Sequence, residues 1–545
     1  MRGDPFFVVT SALCVASWLL SACGGYEDFG EPPYPGEYAP DYGGYDASVG
    51  TDLGGGQGDT QTQDTQPEPE LDLSGLTRPQ IGESYVFIAN TLGGALVTIQ
   101  QQNLTANAIR ICTDPTQVVV VPGTDTAAVL CEGNETVAFV NAEEPDVIAV
   151  AEIAPGANRL AIDEAGRHVL AWFDPYEDPT RIGPNANPQD FNVIPVPESL
   201  DEPEVEAHLV SIGYGLQRLE TSGTRAFITT SEGFHDLDLA SVDSDQFAPI
   251  YSLGLGSAEP GEREVVIDES SNTALVRSLG ESGFRVLSLE SFELYDVPLP
   301  APLTDLDLMV PGEMAVGVIG SESSVVLIDL TSLGEFAAGE EVPEPTSLTF
   351  VSLEDIRIGL GLPLASRGEV AVYSTLGTSS ELAVINTSGE EVGRVRFRKP
   401  IASVTPSPSG DRLFVRHYTT PDAVGSQAAM LQSNGYSVVE LDSLFSRLAL
   451  TPTDVAEATF SADSQELFLR LDTEGAVYEV RQISLGSFAE QRFELEYAPQ
   501  SLSISPSTEE LIVNEALDTG RVTFIDPETG EQRHITAFGL NGRTE

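Results

Sequence analysis

The chain predicts an all-β protein, a β-propeller of seven to ten four-stranded blades behind an N-terminal signal peptide and a disordered acidic tether. Three observations carry this. Strand-length apolar runs recur from Tyr85 onward, and no sustained helical period accompanies them. Turn signals precede many of them, among them Pro122-Gly-Thr-Asp125, Asp163-Glu-Ala-Gly166, Thr221-Ser-Gly-Thr224, Ser407-Pro-Ser-Gly410, Ser461-Ala-Asp-Ser464 and Ser505-Pro-Ser-Thr508. Gly, Asp and Ser suit hairpin turns that need unusual backbone angles. Finally, the unit repeats roughly every 40 to 57 residues, the length of a four-stranded blade.

The first element is the leader. Arg2 precedes an apolar run from Phe6 to Leu20, followed by Leu20-Ser21-Ala22-Cys23-Gly24. The run has about 15 residues, the size of a signal-peptide core and short of the roughly 20 that span a membrane. The string resembles the lipobox of bacterial lipoproteins. That resemblance implies cleavage after residue 22, acyl chains (palmitate among them) on Cys23, and membrane contact through the lipid anchor only. Gly24, where inner-membrane lipoproteins often carry Asp, favours the outer membrane, with the side left open. An ordinary signal peptide with an incidental cysteine, or an uncleaved short anchor, is the alternative.

Residues 23–80 read as the tether. They are rich in Gly, Pro, Asp, Glu, Gln and Thr and nearly free of aliphatic residues before Leu71, a composition that buries too little to fold. Tyr26, Tyr34, Tyr38, Tyr42 and Tyr45 decorate it. A flexible segment of this length spans roughly 40 Å root-mean-square.

Residues 81–545 form the repeat domain. Its alternating strands are Leu96-Val-Thr-Ile-Gln100, Val137-Ala-Phe-Val-Asn141, Val325-Val-Leu-Ile-Asp329, Leu382-Ala-Val-Ile-Asn386, Val438-Val-Glu-Leu-Asp442 and Val522-Thr-Phe-Ile-Asp526. Copies are expected to begin near 84, 115, 157, 206, 263, 302, 357, 401, 454 and 499, the third and fourth being irregular and the first lacking an innermost strand. Tyr85-Val-Phe-Ile-Ala-Asn-Thr91, Ser407-Pro-Ser-Gly-Asp-Arg-Leu-Phe-Val415 and Ser505-Pro-Ser-Thr-Glu-Glu-Leu-Ile-Val513 resemble YVTN-type propellers, a group that includes lactonase-like and quinoprotein-like propellers. The resemblance implies fold; function does not follow from it. Two propellers, or an array of β-sandwiches, are the other arrangements, but closure into a ring protects edges that a row of open sheets would expose.

Of four cysteines, Cys14 leaves with the leader and Cys23 is the lipid site. Cys112 and Cys131 remain. A hairpin around Pro122–Asp125 returns Cys131 to the neighbourhood of residues 115–117, so the pair is expected to form a disulfide in an oxidising compartment.

Acidic residues number 85 against 26 basic, for a net charge of −59, and the only lysine is Lys399. This field excludes nucleic acid as a partner and repels anionic headgroups. Solubility in salty surroundings explains the charge without a specific electrostatic role.

Within a blade, strands A to D run from centre to rim, and the B–C and D–A connections share one face. The elaborated segments Asp174–Asp190 and Tyr418–Gly435 both fall at B–C positions, which makes that face the candidate binding surface, with Asp174, Tyr176, Glu177, Asp178, Arg181, Asp190 and Tyr418 as its candidate residues. The oxygen-rich loop Asp174–Asp190 suits Ca²⁺ chemically, but its spacing matches no calcium motif, and a solvated acidic loop is the simpler reading. Arg394, Arg396 and Arg398 alternate with Val395 and Phe397, a candidate basic strand face for an anionic partner or for local salt bridges. No other cofactor or metal is expected: the five histidines are dispersed, and there is no GxSxG elbow, P-loop or dinucleotide fingerprint.

The expectation is therefore a lipid-anchored, monomeric, non-enzymatic binding or scaffolding propeller of the bacterial envelope, with an envelope protein or glycan as partner. The alternatives are a lactonase-like or quinoprotein-like enzyme, and an assembly factor resembling the propeller lipoprotein of the β-barrel insertion machinery.

Overall fold

The computed structural model describes residues 75–145, 148–176, 186–200, 203–242, 250–331, 348–472 and 478–538. The leader, Cys23 and the tether up to residue 74 lie outside them, as do Glu177, Asp178 and Arg181 of the candidate loop.

The middle strands of the repeats are apolar on both sides. Thr126–Cys131 buries five consecutive residues, and Leu511–Glu515 buries all five of its own. A sheet with two apolar faces needs a neighbour against each. The chain meets this need with ten sheets, each carrying four antiparallel strands in the simple order A-B-C-D. Their innermost strands are Gln80–Ile81, Pro115–Val120, Arg159–Ile162, Leu216–Ser222, Arg263–Asp268, Asp305–Val310, Leu360–Leu364, Ile401–Pro406, Val455–Phe460 and Pro499–Ile504.

Ten apolar clusters fill the gaps, and each joins two successive blades. The tenth joins blade 10 to blade 1, setting Ile512, Val522, Phe524 and Phe538 against Val86, Ile88, Val97 and Ile99. The fold is thus one ten-bladed β-propeller; the two-propeller and sandwich-array alternatives are excluded.

Three expectations about the repeats need correction. Blade 1 does have an innermost strand, Gln80–Ile81, and Leu76 already bridges to Asn90. The folded chain therefore starts inside the segment assigned to the tether. Blade 4 begins at Leu216, ten residues after the expected position near 206. The intervening chain serves two rims: His208–Ser211 is the outermost strand of blade 3, and Glu204–Val205 adds a fifth, parallel strand to blade 2. Finally, the strands read as alternating are buried on both faces, because each blade is covered from both sides.

Hydrogen bonds between connections define the two ends of the disc. Those of the B–C loops with the D–A connections tie one face: Ile111 N–H to Gly94 O, Asn158 N–H to Trp172 O, Ala258 N–H to Ser231 O and Gly359 N–H to Tyr373 O. Those of the A–B turns with the C–D loops tie the other: Gln101 N–H to Ser84 O, Ala142 N–H to Asp125 O and Leu441 N–H to Asp411 O. The described chain begins and ends on the B–C/D–A face. There Leu76 and Phe538 pack together over Gly520, where a Cβ would lie 2.3 Å from the Phe538 ring and 2.8 Å from Leu76. Gly520 has φ +80°, so backbone angle and packing both demand glycine.

Candidate binding face

The two elaborated loops share the B–C/D–A face but not a site. One belongs to blade 3 and the other to blade 8, five blades apart in a ring of ten, and so on opposite sides of the channel mouth.

In the blade 3 loop, Asp174 and Asn158 exchange hydrogen bonds: Asn158 Oδ1 accepts from Asp174 N–H at 2.7 Å, and Asn158 Nδ2 donates to Asp174 O at 3.0 Å. The Asp174 carboxylate accepts the Tyr176 N–H at 2.9 Å and lies 3.5 Å from Arg159 Nε. Asp190 accepts from Asn187 Nδ2 at 2.7 Å. Both carboxylates thus serve local turns. Among the described residues no group of three or more His, Cys, Asp or Glu is placed to hold a metal.

The blade 8 insert contains a short helix, Ala428–Gln432. Beneath it Lys399 is fully buried, and its ammonium donates to the carbonyls of Met430, Leu431 and Ser433 at 3.1, 3.0 and 2.7 Å. The cation thus caps the carbonyl end of the helix, where such charge is favoured. Burial holds its pKa below the usual lysine value. Tyr418 N–H donates to Pro400 O, and the Tyr418 side chain is exposed.

Val395 and Phe397 are buried between the three arginines, two of which are engaged by local carboxylates. Arg394 makes a two-point pair with Glu391 and donates to Glu354 O at 3.0 Å. Arg396 pairs with Glu381 across the outer edge of blade 7 at 2.9 Å. Arg398 is exposed and lies past the end of the strand, which stops at Arg396.

The cysteine pair is joined as expected. Cys112–Cys131 is a disulfide with a Cα–Cα distance of 5.9 Å, tying the connection from blade 1 to the second strand of blade 2. Pro115 pairs opposite Cys131, which is what the hairpin register required.

Two features of this face went unseen in the sequence. The first is a crown of exposed apolar side chains. Leu92, Leu279 and Leu376 stand 63–64% exposed at the B–C turns of blades 1, 5 and 7. Tyr176 and Tyr214 stand near the junction of blades 3 and 4, and Tyr418 and Val424 on blade 8. The remaining exposed large apolar residues, such as Leu209, Phe350 and Leu450, lie on outermost strands. Among the described residues the A–B/C–D face has none. The signal was a recurring Ser/Thr-Leu-Gly at one turn: Thr91-Leu92-Gly93, Ser278-Leu279-Gly280 and Thr375-Leu376-Gly377.

The second is an acidic sector at the channel mouth. Glu264, Asp305 and Asp307 lie near the starts of the innermost strands of blades 5 and 6, the ends toward the crown face. Asp305 accepts the Gly361 N–H at 2.6 Å, and Glu264 pairs with Arg277 at 2.8 Å. Burial, reinforced by repulsion from Glu264, raises the pKa of Asp305. Burial, then Asp305 and Glu264, raises that of Asp307, with Arg218 opposing. At the other side of the mouth Glu457 is saturated: it pairs with Arg78 and Arg470 and accepts the Leu502 N–H at 3.0 Å.

No family model matches the chain, and no curated protein sequence does. Solved structures are similar to it at low identity. The dihydro-heme d1 dehydrogenase NirN in complex with DHE is 10% identical over 78% of this chain and 77% of its own (TM-score 0.40). A eukaryotic initiation factor is 11% identical over 73% and 93% (TM-score 0.46). Apo AztD from Citrobacter koseri is 12% identical over 60% and 87% (TM-score 0.32).

Proposed function

We propose that this chain is a lipid-anchored, non-enzymatic binding or scaffolding propeller of the bacterial envelope, moored through Cys23 and working through its B–C/D–A face. The YVTN-type character of its repeats belongs to the same reading. The crown is the observation that supports it. A turn exposed to water gains nothing for folding from leucine, yet three equivalent turns on one face carry one. The lipobox-like string and the acidic tether supply the mooring, with the outer membrane as its expected place.

Growth with an alkyne fatty acid tests the anchor. The wild-type protein is expected to take up label and fractionate with membranes, and Cys23→Ser to do neither. A mature protein without acyl chains would overturn the anchor. A purified body that turned over a lactone or another small metabolite would overturn the non-enzymatic assignment.

A further inference from the structure

Resting on that reading, the geometry points to one kind of partner: a folded, basic protein that covers the channel mouth, seating apolar side chains on Leu92, Leu279 and Leu376 and presenting cationic side chains to Glu264, Asp305 and Asp307.

Three observations fix these properties. The leucines sit on blades 1, 5 and 7 of ten, so a body that touches all of them must straddle the mouth. A single extended peptide laid against one blade cannot do so. The sign of the partner follows from the mouth. Glu264, Asp305 and Asp307 crowd the ends of two neighbouring innermost strands; Glu264 is paired with Arg277, while burial and mutual repulsion hold Asp305 and Asp307 toward their protonated forms, a bias that an added cation would relieve, whereas Glu457 across the channel already has two arginines of its own. A partner bringing positive charge gains at such a site, and a partner bringing like charge is disfavoured there. The whole chain gives the same answer: at −59, a second copy of itself and an anionic lipid surface are both repelled. Apolar contacts around a cationic centre would supply the anchors, and the charge would set the orientation.

The test uses the full chain in its own cells, with p-benzoylphenylalanine placed at position 92, 279 or 376, and at Ser388 and Ser507 on the other face as controls. Illumination is expected to give one protein adduct of the same mass from all three crown positions and none from the controls. The captured protein should carry net positive charge. Purified and mixed with the full chain, it should bind about tenfold more weakly to Leu279→Ser/Leu376→Ser and to Asp305→Asn/Asp307→Asn. Both double variants alter surface or mouth side chains, and an unchanged circular dichroism spectrum shows that each is folded. Equal adducts from both faces, adducts with lipid alone, an acidic partner or no adduct would each overturn the inference. Adducts confined to rim positions such as Leu209 or Phe350 would overturn it and leave the scaffolding reading standing. No adduct from any surface, combined with turnover of a metabolite, would remove both.

Discussion

His235 and His417 are buried, and their partners define their protons. His235 Nε2 accepts the Gly213 N–H at 3.0 Å, which leaves the proton on Nδ1 to be donated to Ser252 Oγ at 2.8 Å. His417 Nδ1 lies 3.1 Å from Pro400 O and donates to it, so Nε2 accepts from Ser437 Oγ at 2.7 Å. Burial lowers both pKa values to about 4. The unfolded chain, with histidine near its ordinary value of about 6.5, binds more protons between the two values. Stability from these groups is present in full above pH of about 6.5 and is lost as pH falls toward 4. Asp305 and Asp307 act oppositely. Their folded pKa values are raised, so the folded state binds more protons and stability declines as pH climbs from about 4 through neutrality. Asp305→Asn/Asp307→Asn should therefore raise the thermal midpoint at pH 8, by the equivalent of about 1–3 kcal/mol, and leave it nearly unchanged at pH 4. Equal gains at both pH values in thermal melts would contradict this. None of it was legible in the sequence, because an aspartate in an acidic chain looks the same in a channel mouth as on an open surface. The same holds for Lys399, which follows Arg398 in the sequence and holds a helix from beneath.

Hairpin geometry was the most legible level. The Cys112–Cys131 bridge followed from counting residues around one turn, since antiparallel pairing fixes which residues return together. It closes a separation of 19 residues, so Cys112→Ser/Cys131→Ser is expected to lose about 3 kcal/mol in urea unfolding, and reductant should reproduce the loss in the wild type. A variant as stable as the wild type would show that the connection is held by packing alone. The C–D turns were illegible for a physical reason. Leu104, Phe292, Leu444 and Phe488 adopt φ of 55–58°, a region that bulky residues avoid and that sequence patterns reserve for Gly or Asn. Here the side chain is drawn onto the core: Leu104, Leu444 and Phe488 each pack against an interblade cluster, which compensates the backbone strain.

The repeat was readable but the blade number was not. The copies expected near 115, 263, 401 and 499 begin where innermost strands begin. Blade 1 hid its first strand in a two-residue pairing, and the rims of blades 2 and 3 share one wandering segment. What settles ten is closure. Blades 1 and 10 are each built from contiguous chain, so no strand is exchanged across the joint. It is held by the apolar cluster around Phe524 and Phe538, by Arg533 donating to Gln101 O and Gln102 O at 3.1 and 2.7 Å, and by the contacts of Glu457 with Arg78 and the blade 10 backbone. Glu457→Ala leaves Arg78 and Arg470 without their carboxylate and the Leu502 N–H without its acceptor. It should destabilise the ring by about 1–3 kcal/mol and speed amide exchange first in blades 1, 9 and 10. Uniform acceleration across all ten blades would refute the local role of this joint.

Nine of the ten junctions are crossed by a peptide bond, and the joint between blades 10 and 1 is not. The first and last described stretches of the chain meet there, with Leu76 and Phe538 both against Gly520. Mechanical force applied through a leading segment therefore enters at the one seam that covalent continuity does not reinforce. A steady pull would peel that seam before it strained blades 5 and 6 on the far side, and slackening would let two intact sheets meet again without any strand having to be rethreaded.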